Sequence, residues 1–255
     1  MNAVAVSSPR RTLRPYLLEA RYEFVRLLRT PSFVLPTLLF PPLFYVLFGV
    51  LLGSRGGAAA AQYMFAAYGV FGILGCALFG FGVTIAIERE RGWLTYKRAL
   101  PMPPGAVLVA KTAMAMMFAA IISLMLALIA AGLTGVRLAP LQWLGLFAVN
   151  VLGTLPFCAI GLWIGTLVSG SASPALVNIV YLPMAFLSGL LIPLSVLPPV
   201  LGTLAPAWPA YHLGQVALKI VGRDAGGSLL VHLGVLAVIT VAFFVLARRR
   251  LMAAG

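Results

Sequence analysis

Charged residues, and acidic ones above all, are scarce in this chain of 255 residues: 9% are Asp, Glu, Lys or Arg, and only five are acidic. An average soluble domain carries roughly a quarter charged residues. Apolar residues make up 62% of the chain and the mean hydropathy is +1.06, which excludes a water-soluble fold. The net charge of +13 does not indicate nucleic-acid binding, because the chain lacks a polar surface to hold a basic patch. We therefore expect the basic residues to serve the association of the chain with a membrane.

Cysteine and histidine are also rare. Cys76 and Cys158 lie within long apolar runs, and neither has a His or Cys at metal-ligand spacing. This pattern excludes a disulfide framework and a zinc site. His212 and His232 have no acidic residue or cysteine in reach, so we expect them at the membrane interface rather than on a metal.

What the chain has instead is long intervals without charge. A helix needs about 20 apolar residues to cross the bilayer core, and the interval from Leu138 to Leu218 alone contains 81 residues. A Ser/Gly cluster ending in Pro174 predicts a turn within it. We predict an all-α integral membrane fold with six transmembrane helices, at residues 33–52, 63–87, 112–133, 141–168, 175–194 and 229–247.

Residues 195–218 are apolar but contain four prolines: Pro198, Pro199, Pro206 and Pro209. Each proline removes a backbone donor, and lipid offers no substitute partner for the groups that are freed. We predict a re-entrant segment of one or two short helices in the outer interface, before the sixth helix. Trp208 and Tyr211 are expected at headgroup depth.

The distribution of basic residues predicts the orientation. Fourteen of the 18 Lys and Arg fall on the side of both termini, and the positive-inside rule places that side in the cytoplasm. Residues 1–32 are thus predicted to be a cytoplasmic N-terminus and 33–255 a single transmembrane domain, with a cytoplasmic loop at 88–111. The expected location is a bacterial plasma (inner) membrane.

Residues 13–29 predict an amphipathic helix, with Leu17 and Phe24 on one face and Arg21 and Arg26 on the other. Such a helix lies on a membrane rather than across it. Two interpretations stay open and are compatible: attachment to anionic lipid, and docking of a cytoplasmic partner.

The loop after the second predicted span holds two of the five acids, Glu88 and Glu90, at the end of a membrane helix. An ion pair from Glu88 to Arg91 at i+3 is the simplest interpretation. Carboxylates at a helix C-terminus interact unfavourably with the helix dipole, however, so another interaction must offset this loss of stability.

Two stretches resemble one family. The string ERERGWL at residues 88–94, the pair Leu100-Pro101 and a later Lys111 resemble the cytoplasmic loop of ABC type-2 transporter permeases, in which an E-x-E-x-G segment precedes a leucine and a proline. Residues 178–193 and 209–213 resemble the C-terminal part of the same permeases. Trp93 departs from the pattern, since many relatives carry a small polar residue there.

The resemblance implies a half-transporter, in which two permease copies form the pore and two separate ATPase subunits drive it. ATP and Mg would be bound by the partner ATPase, and this chain would hold no cofactor and no catalytic residue. Its nearest approach to a P-loop, Gly105 to Thr112, has Ala110 in place of the second glycine. The residues implied in ATPase coupling are Arg21, Arg26, Glu88, Arg89, Glu90, Arg91, Gly92 and Pro101.

Export of a hydrophobic or amphiphilic substrate, such as a drug or a lipid-linked or polysaccharide-like molecule, is the expected function. The predicted substrate path lies on spans two and five and consists of Phe79, Phe81, Thr84, Asn178, Tyr181, Phe186 and Ser188. These side chains also suit plain helix packing. We also interpret the small-residue pair Gly161 and Gly165 as a packing position. We interpret Asn150 as part of an interhelical hydrogen bond.

Two other functions are weighed against this one. An ion-coupled carrier that works without an ATPase is disfavoured, because the predicted spans contain no charged residue. An intramembrane serine protease would need Ser171 or Ser173 beside His212 or His232, and the predicted topology puts these serines and histidines on opposite sides.

Overall fold

The computed structural model describes residues 9–52, 57–99 and 105–253, and all regular structure in them is helical. The α-helices, in chain order, are α1 (Pro9–Leu28), α2 (Pro31–Phe44), α3 (Gly57–Ala77), α4 (Thr84–Glu90), α5 (Trp93–Ala99), α6 (Ala106–Leu133), α7 (Pro140–Leu152), α8 (Thr154–Leu167), α9 (Ser173–Leu187), α10 (Pro199–Leu204), α11 (Pro209–Ile220) and α12 (Leu229–Ala253). Two π-helical segments, Tyr45–Leu52 and Leu78–Val83, extend α2 and join α3 to α4. The predicted all-α membrane fold is confirmed.

Five helical stretches of the described residues are long and apolar enough to cross a bilayer: Pro31–Val50, Gly57–Glu90, Ala106–Leu133, Pro140–Leu167 and Leu229–Leu251. They correspond to five of the six predicted spans. The remaining one, predicted at 175–194, is the 15-residue α9, which is about 22 Å long against a bilayer core of ~30 Å. The helix ends at Leu187, and Gly189 follows with a φ of 78°. The count of six therefore stays a prediction.

The proline-rich segment forms short helices rather than a span, as predicted. Two 3₁₀ turns, at Leu194–Val196 and Ala205–Ala207, flank α10, and α11 follows. α11 packs against α3, α7 and α12, and the side-chain amide of Gln142 in α7 donates to the carbonyl of Ile220 at 2.8 Å. The depth of this segment in the bilayer stays a prediction.

The second span, Gly57–Glu90, is the most buried of the five, and its first part, α3, packs against α2, α6, α8 and α11. Its π-helical segment is crossed closely by α8. A Cβ on Gly161 would lie 3.2 Å from the backbone nitrogen of Gly82, and one on Gly165 would lie 2.6 Å from the Gly82 carbonyl oxygen. The interpretation of these two glycines as packing positions is confirmed.

Polar side chains within the spans serve contacts between helices. Asn150 of α7 donates to Ser123 Oγ of α6 at 3.0 Å, which confirms its interpretation as an interhelical hydrogen bond. Tyr45 is fully buried and its hydroxyl lies 2.9 Å from that of Thr134 at the end of α6. These bonds satisfy polar groups that lipid would leave unpaired.

Candidate functional site

The N-terminal helix packs its carboxylates inward, onto α6. Phe24 of α1 and Phe118 of α6 lie 5.0 Å apart between ring centroids, and Leu27 is 5% exposed. The same face carries Glu23, which is only 2% exposed. On the other side Leu17 is 70% exposed. An amphipathic helix is confirmed, but part of its apolar surface faces outward while its acids face the protein.

Six charged side chains meet where α1, α4, α5 and α6 converge. We call this set the ionic cluster; it consists of Glu19, Glu23, Arg26, Glu88, Lys97 and Lys111. Its three carboxylates balance its three cations. The elements that supply them are far apart in sequence, so the cluster joins the N-terminal helix to the end of the second span, the loop helix and the start of the third span.

Lys111 and Glu88 form the centre of the ionic cluster. Lys111 Nζ lies 2.9 Å from Glu88 Oε1 and 3.0 Å from Glu23 Oε2, and it also donates to Thr84 Oγ1 at 3.3 Å. The Lys111 residue is 0% exposed and Glu88 is 1% exposed. Charges this deeply buried are tolerated only when they are paired and hydrogen-bonded.

Arg26 and Lys97 complete the pairing from the outer side of the cluster. Arg26 contacts Glu88 at 2.6 Å and Glu23 at 2.7 Å, while Lys97 Nζ lies 2.7 Å from Glu19 and 2.9 Å from Glu23. Every carboxylate of the cluster is therefore within ion-pair distance of at least one cation.

The electrostatics of the cluster favour the charged forms. Burial alone would raise the pKa of the Glu23 carboxyl, but Lys111, Arg26 and Lys97 outweigh it, so the pKa lies below its usual range. Burial would lower the pKa of the Lys97 ammonium, but hydrogen bonds to Glu19 and Glu23 raise it above its ordinary value. Neutral pH thus keeps these two groups ionised and the network intact.

Arg89 and Glu90, which follow Glu88 in the chain, connect the ionic cluster to the fourth and fifth predicted spans. The Arg89 guanidinium donates to the carbonyl of Thr166 and, at 2.7 Å, to that of Val168. Glu90 accepts from the backbone N–H of Gly170 at 2.6 Å. The end of α4 is therefore fixed to the end of α8 and to the turn before α9.

Two exposed residues predicted for coupling, Arg91 and Gly92, follow directly after α4, and Trp93, which is not among the predicted coupling residues, comes next. Arg91, Gly92 and Trp93 all face outward, with the Arg91 guanidinium 5.6 Å from the centroid of the Trp93 ring. Gly92 has a φ of 72°, a backbone conformation that favours glycine. Arg21 is also exposed, and Pro101 lies outside the described residues.

The geometry corrects two interpretations of the loop. Glu88 pairs with Arg26 and Lys111 from other elements, not with Arg91. The spans are also longer than the charge-free intervals suggested: α6 begins at Ala106 and takes in Lys111, and α4 takes in Glu88. Mutual neutralisation makes these charges compatible with helix ends at a membrane.

Sequence reasoning missed four members of the cluster: Glu19, Glu23, Lys97 and Lys111. A signal was available, since Glu19 and Glu23 stand at i and i+4 on one helix in a chain with five acids. Such spacing on a basic helix indicates a carboxylate face in need of cations. Lys111, the lysine of the P-loop-like string, serves this network.

Four of the seven predicted substrate-path residues line two neighbouring cavities. The first, of about 280 Å³, lies between α2, the second span and α9, and is lined in part by Phe79, Asn178 and Tyr181. The second, of about 520 Å³, lies next to the ionic cluster and is lined in part by Phe79 and Thr84. The structure places these four residues around neighbouring cavities, and their role in transport stays a prediction.

The other three predicted path residues lie elsewhere. Phe81 is 2% exposed within the hydrophobic core, Phe186 is 44% exposed, and Ser188 is buried just beyond the end of α9. None of the three lines either cavity.

The two histidines contact each other. His212 Nδ1 and His232 Nδ1 lie 2.9 Å apart, and His212 Nε2 lies 2.9 Å from the Pro206 carbonyl oxygen. Ser173 instead donates to the Gly170 carbonyl, so the histidines are engaged away from the serines of the protease alternative. In the part of the chain that the structure describes, no group of three or more His, Cys, Asp or Glu side chains is placed to hold a metal ion.

Comparison with known proteins agrees with this architecture. The family model described as ABC-2 type transporter matches residues 16–221. A protein of Bacillus subtilis (strain 168) named "Putative transport permease YvfS" is 27% identical over 209 residues, which cover 81% of this chain and 84% of that protein. The matched region runs from α1 through α11 and includes the whole ionic cluster, and the chain therefore belongs to the ABC-2 type transporter family.

Proposed function

We propose that this chain is the membrane permease of an ATP-driven exporter and that a separate ABC ATPase subunit binds ATP and Mg. The observation that carries the proposal is the ionic cluster. It fixes the N-terminal helix, the loop helix and two spans together with at least seven ion-pair contacts. A force applied to the outer face of α1 or to α5 would then move the second and third spans as one body.

The exposed residues next to the cluster form the proposed docking surface for the ATPase. Arg21, Arg91, Gly92 and Trp93 are exposed and lie on or beside the helices that the ionic cluster joins, whereas Glu88 is enclosed by this chain's own cations. We therefore propose that Glu88 acts by transmitting force within the permease, with Arg89 and Glu90 carrying it to α8 and α9. Two permease copies, identical or paralogous, would enclose the path, and both termini would be cytoplasmic in a bacterial inner membrane.

Co-purification tests the proposal directly. The chain is isolated from its native membrane in mild detergent, soluble proteins that co-elute are identified by mass, and the complex is assayed for ATP hydrolysis. A stoichiometric P-loop protein with ATPase activity is expected. A lone chain that transports in liposomes without ATP would instead support the carrier alternative.

Surface variants locate the contact. Arg21→Glu and Trp93→Ala remove an exposed charge and an exposed ring, and each is expected to weaken ATPase retention. Arg223→Glu is the matched control, since Arg223 is also exposed but belongs to the predicted outer side. Equal retention in all three variants would contradict the proposed docking surface.

A hydrophobic or amphiphilic substrate is proposed from the lining of the two cavities. The cavity that Phe79, Asn178 and Tyr181 help to line is mainly apolar, with few polar atoms, which suits ligands that partition into membranes. The measurement is stimulation of ATP hydrolysis in the reconstituted complex by a panel of apolar, amphiphilic and purely polar solutes. Stimulation by the polar solutes alone would contradict this part of the proposal.

A further inference from the structure

The two cavities are adjacent and share part of their lining. Ser32, Phe33 and Phe79 line both of them, so a ligand in one cavity touches residues that also border the other. Their volumes, about 280 and 520 Å³, are of the size of pockets that hold one small molecule, roughly 300–1,000 Å³. We call the combined space the α2 cleft.

One end of the α2 cleft is charged. Arg26, Glu88 and Arg91 border it beside the ring of Trp93. Arg26 and Glu88 are paired with each other at 2.6 Å and so cancel. Arg91 makes no ion pair with any carboxylate in the described part of the chain. Its guanidinium lies over the ring of Trp93, 5.6 Å from the centroid. The net charge offered to a ligand at this end is therefore positive.

The other end of the α2 cleft is apolar. Along α2 it is bordered by Pro36, Phe40 and Pro41, and opposite them by Gly72 and Gly75. From Ser32 to Pro41 the helix rises roughly 13 Å. A Cβ at Gly72 would lie 2.9 Å from Cγ of Pro41, and one at Gly75 would lie 3.2 Å from the hydroxyl oxygen of Tyr181, so these glycines let the lining side chains approach the second span closely. This end accepts an apolar group and offers few hydrogen-bond partners.

We propose, on the basis of the transport function proposed above, that the α2 cleft binds a single-chain anionic amphiphile. Its head lies beside Arg91 and Trp93, and its tail extends along α2 toward Pro41. Arginine suits phosphate and sulfate groups because its planar fork donates two parallel hydrogen bonds. A cationic head is repelled by Arg91 and an uncharged head forms no ion pair with it, so the cleft favours an anionic head.

Photo-crosslinking tests this assignment on the intact chain in nanodiscs of zwitterionic phosphatidylcholine. The probe is dodecyl phosphate that carries a diazirine in its tail, and labelled peptides are mapped by mass spectrometry. We expect labelling of α2 and of the segment around Phe79. Excess dodecyl phosphate should compete, whereas dodecyltrimethylammonium and inorganic phosphate should not.

Variants at each end separate head from tail. Arg91→Gln removes the charge and is expected to reduce labelling about tenfold, as for one lost hydrogen bond between charged groups. Arg29→Gln is the matched control, since Arg29 is exposed, lies just beyond the end of α1 and does not line the cleft. This variant should label as the unaltered chain does. Thr37→Phe adds bulk to the apolar end and should reduce labelling there.

The assignment would be overturned by labelling spread evenly over α12 and other outward faces, by equal competition from dodecyltrimethylammonium, or by unchanged labelling of Arg91→Gln. Loss of labelling on adding phosphatidylglycerol to the bilayer would assign the cleft to resident two-chain lipid and would also overturn it. This assay needs no ATPase, so a negative result would not contradict the proposed export function. Failure of an ATPase to co-purify would likewise not contradict the assignment of the α2 cleft.

Discussion

At the scale of single residues, Lys111 is the most informative side chain. It lies at the start of a membrane helix, is fully buried, and contacts two carboxylates from different elements. A buried ion pair adds less stability than its Coulomb energy suggests, because both charges lose hydration. Removal of one partner is nevertheless costly, since it leaves the others buried without compensation.

Lys111→Met is therefore expected to destabilise the protein by about 3–5 kcal/mol. The measurement is the free energy of unfolding in detergent. Lys219→Met is the matched control. Lys219 pairs with Asp224 at 2.6 Å, and its side chain is 32% exposed. Loss of this exposed pair should lower the free energy of unfolding by less than about 1 kcal/mol. Similar losses for the two variants would show that burial does not strengthen the ionic cluster.

The His212 and His232 pair predicts a pH dependence. Burial and the neighbouring His232 hold the pKa of His212 below its ordinary value of 6.5, although the Pro206 carbonyl acts in the opposite direction. The folded state thus binds fewer protons than the unfolded state, so this contribution to stability is complete above pH 6.5 and decreases as the pH falls below it. The melting temperature of the protein should fall between pH 7 and pH 5.

The control for this prediction is His212→Gln, which removes the titrating group at that position. Its melting temperature is expected to change less between pH 7 and pH 5 than that of the unaltered chain. The Glu23 carboxyl does not interfere, because its pKa is below the ordinary value of 4.5. A steeper dependence in the variant would contradict the assignment to His212.

At the scale of elements, the contact between α8 and the π-helical segment Leu78–Val83 depends on glycine. Gly165→Ala would bring a Cβ to 2.6 Å from the Gly82 carbonyl oxygen, a backbone atom that moves only with its helix. Overpacking of this kind costs about 1–3 kcal/mol, which unfolding measurements in detergent would detect.

Gly132→Ala is the comparison for that variant. Gly132 also lies in a membrane helix, α6, and a Cβ there meets nothing within 4 Å. Its helix propensity improves by about 1 kcal/mol, so the two substitutions should differ in sign. Destabilisation of equal size in both would mean that close approach is not the reason for glycine at position 165.

Most elements could be predicted from hydropathy, because a bilayer-spanning helix requires a long apolar run and little else. The ends of the helices could not. Lys111 and Glu88 look like boundaries in a count of charge-free residues, yet the helices continue through them, since partners in α1 neutralise both. Sequence reasoning named Arg26 and Glu88 but missed the other members of the ionic cluster for the same reason, because Glu19 and Glu23 meet their cations only when α1 is packed on α6.

At the scale of the whole molecule, the chain is built asymmetrically along its length. One end carries the ionic cluster, the exposed Arg91 and Trp93, and the charged part of the α2 cleft. The other end carries the short helices α10 and α11 and the histidine pair. The proposed export function would use this division, because the end proposed to bind an ATPase would be linked to the spans through the ionic cluster, and the opposite end would be the one that releases the substrate.

The orientation of these two ends predicts a labelling pattern with a membrane-impermeant maleimide. Cys76 and Cys158 are both buried, so they should react little, and single cysteines can be introduced into the chain as it is. Arg223→Cys and Ser171→Cys both alter exposed positions, on opposite sides of the predicted topology. Because 14 of the 18 basic residues lie on the side of Ser171, the positive-inside rule places it in the cytoplasm. Arg223→Cys should therefore label in intact cells, and Ser171→Cys should label only in inverted vesicles. The reverse pattern would contradict the predicted orientation. It would place the ionic cluster, and any ATPase bound to it, outside the cytoplasm, where ATP is not supplied.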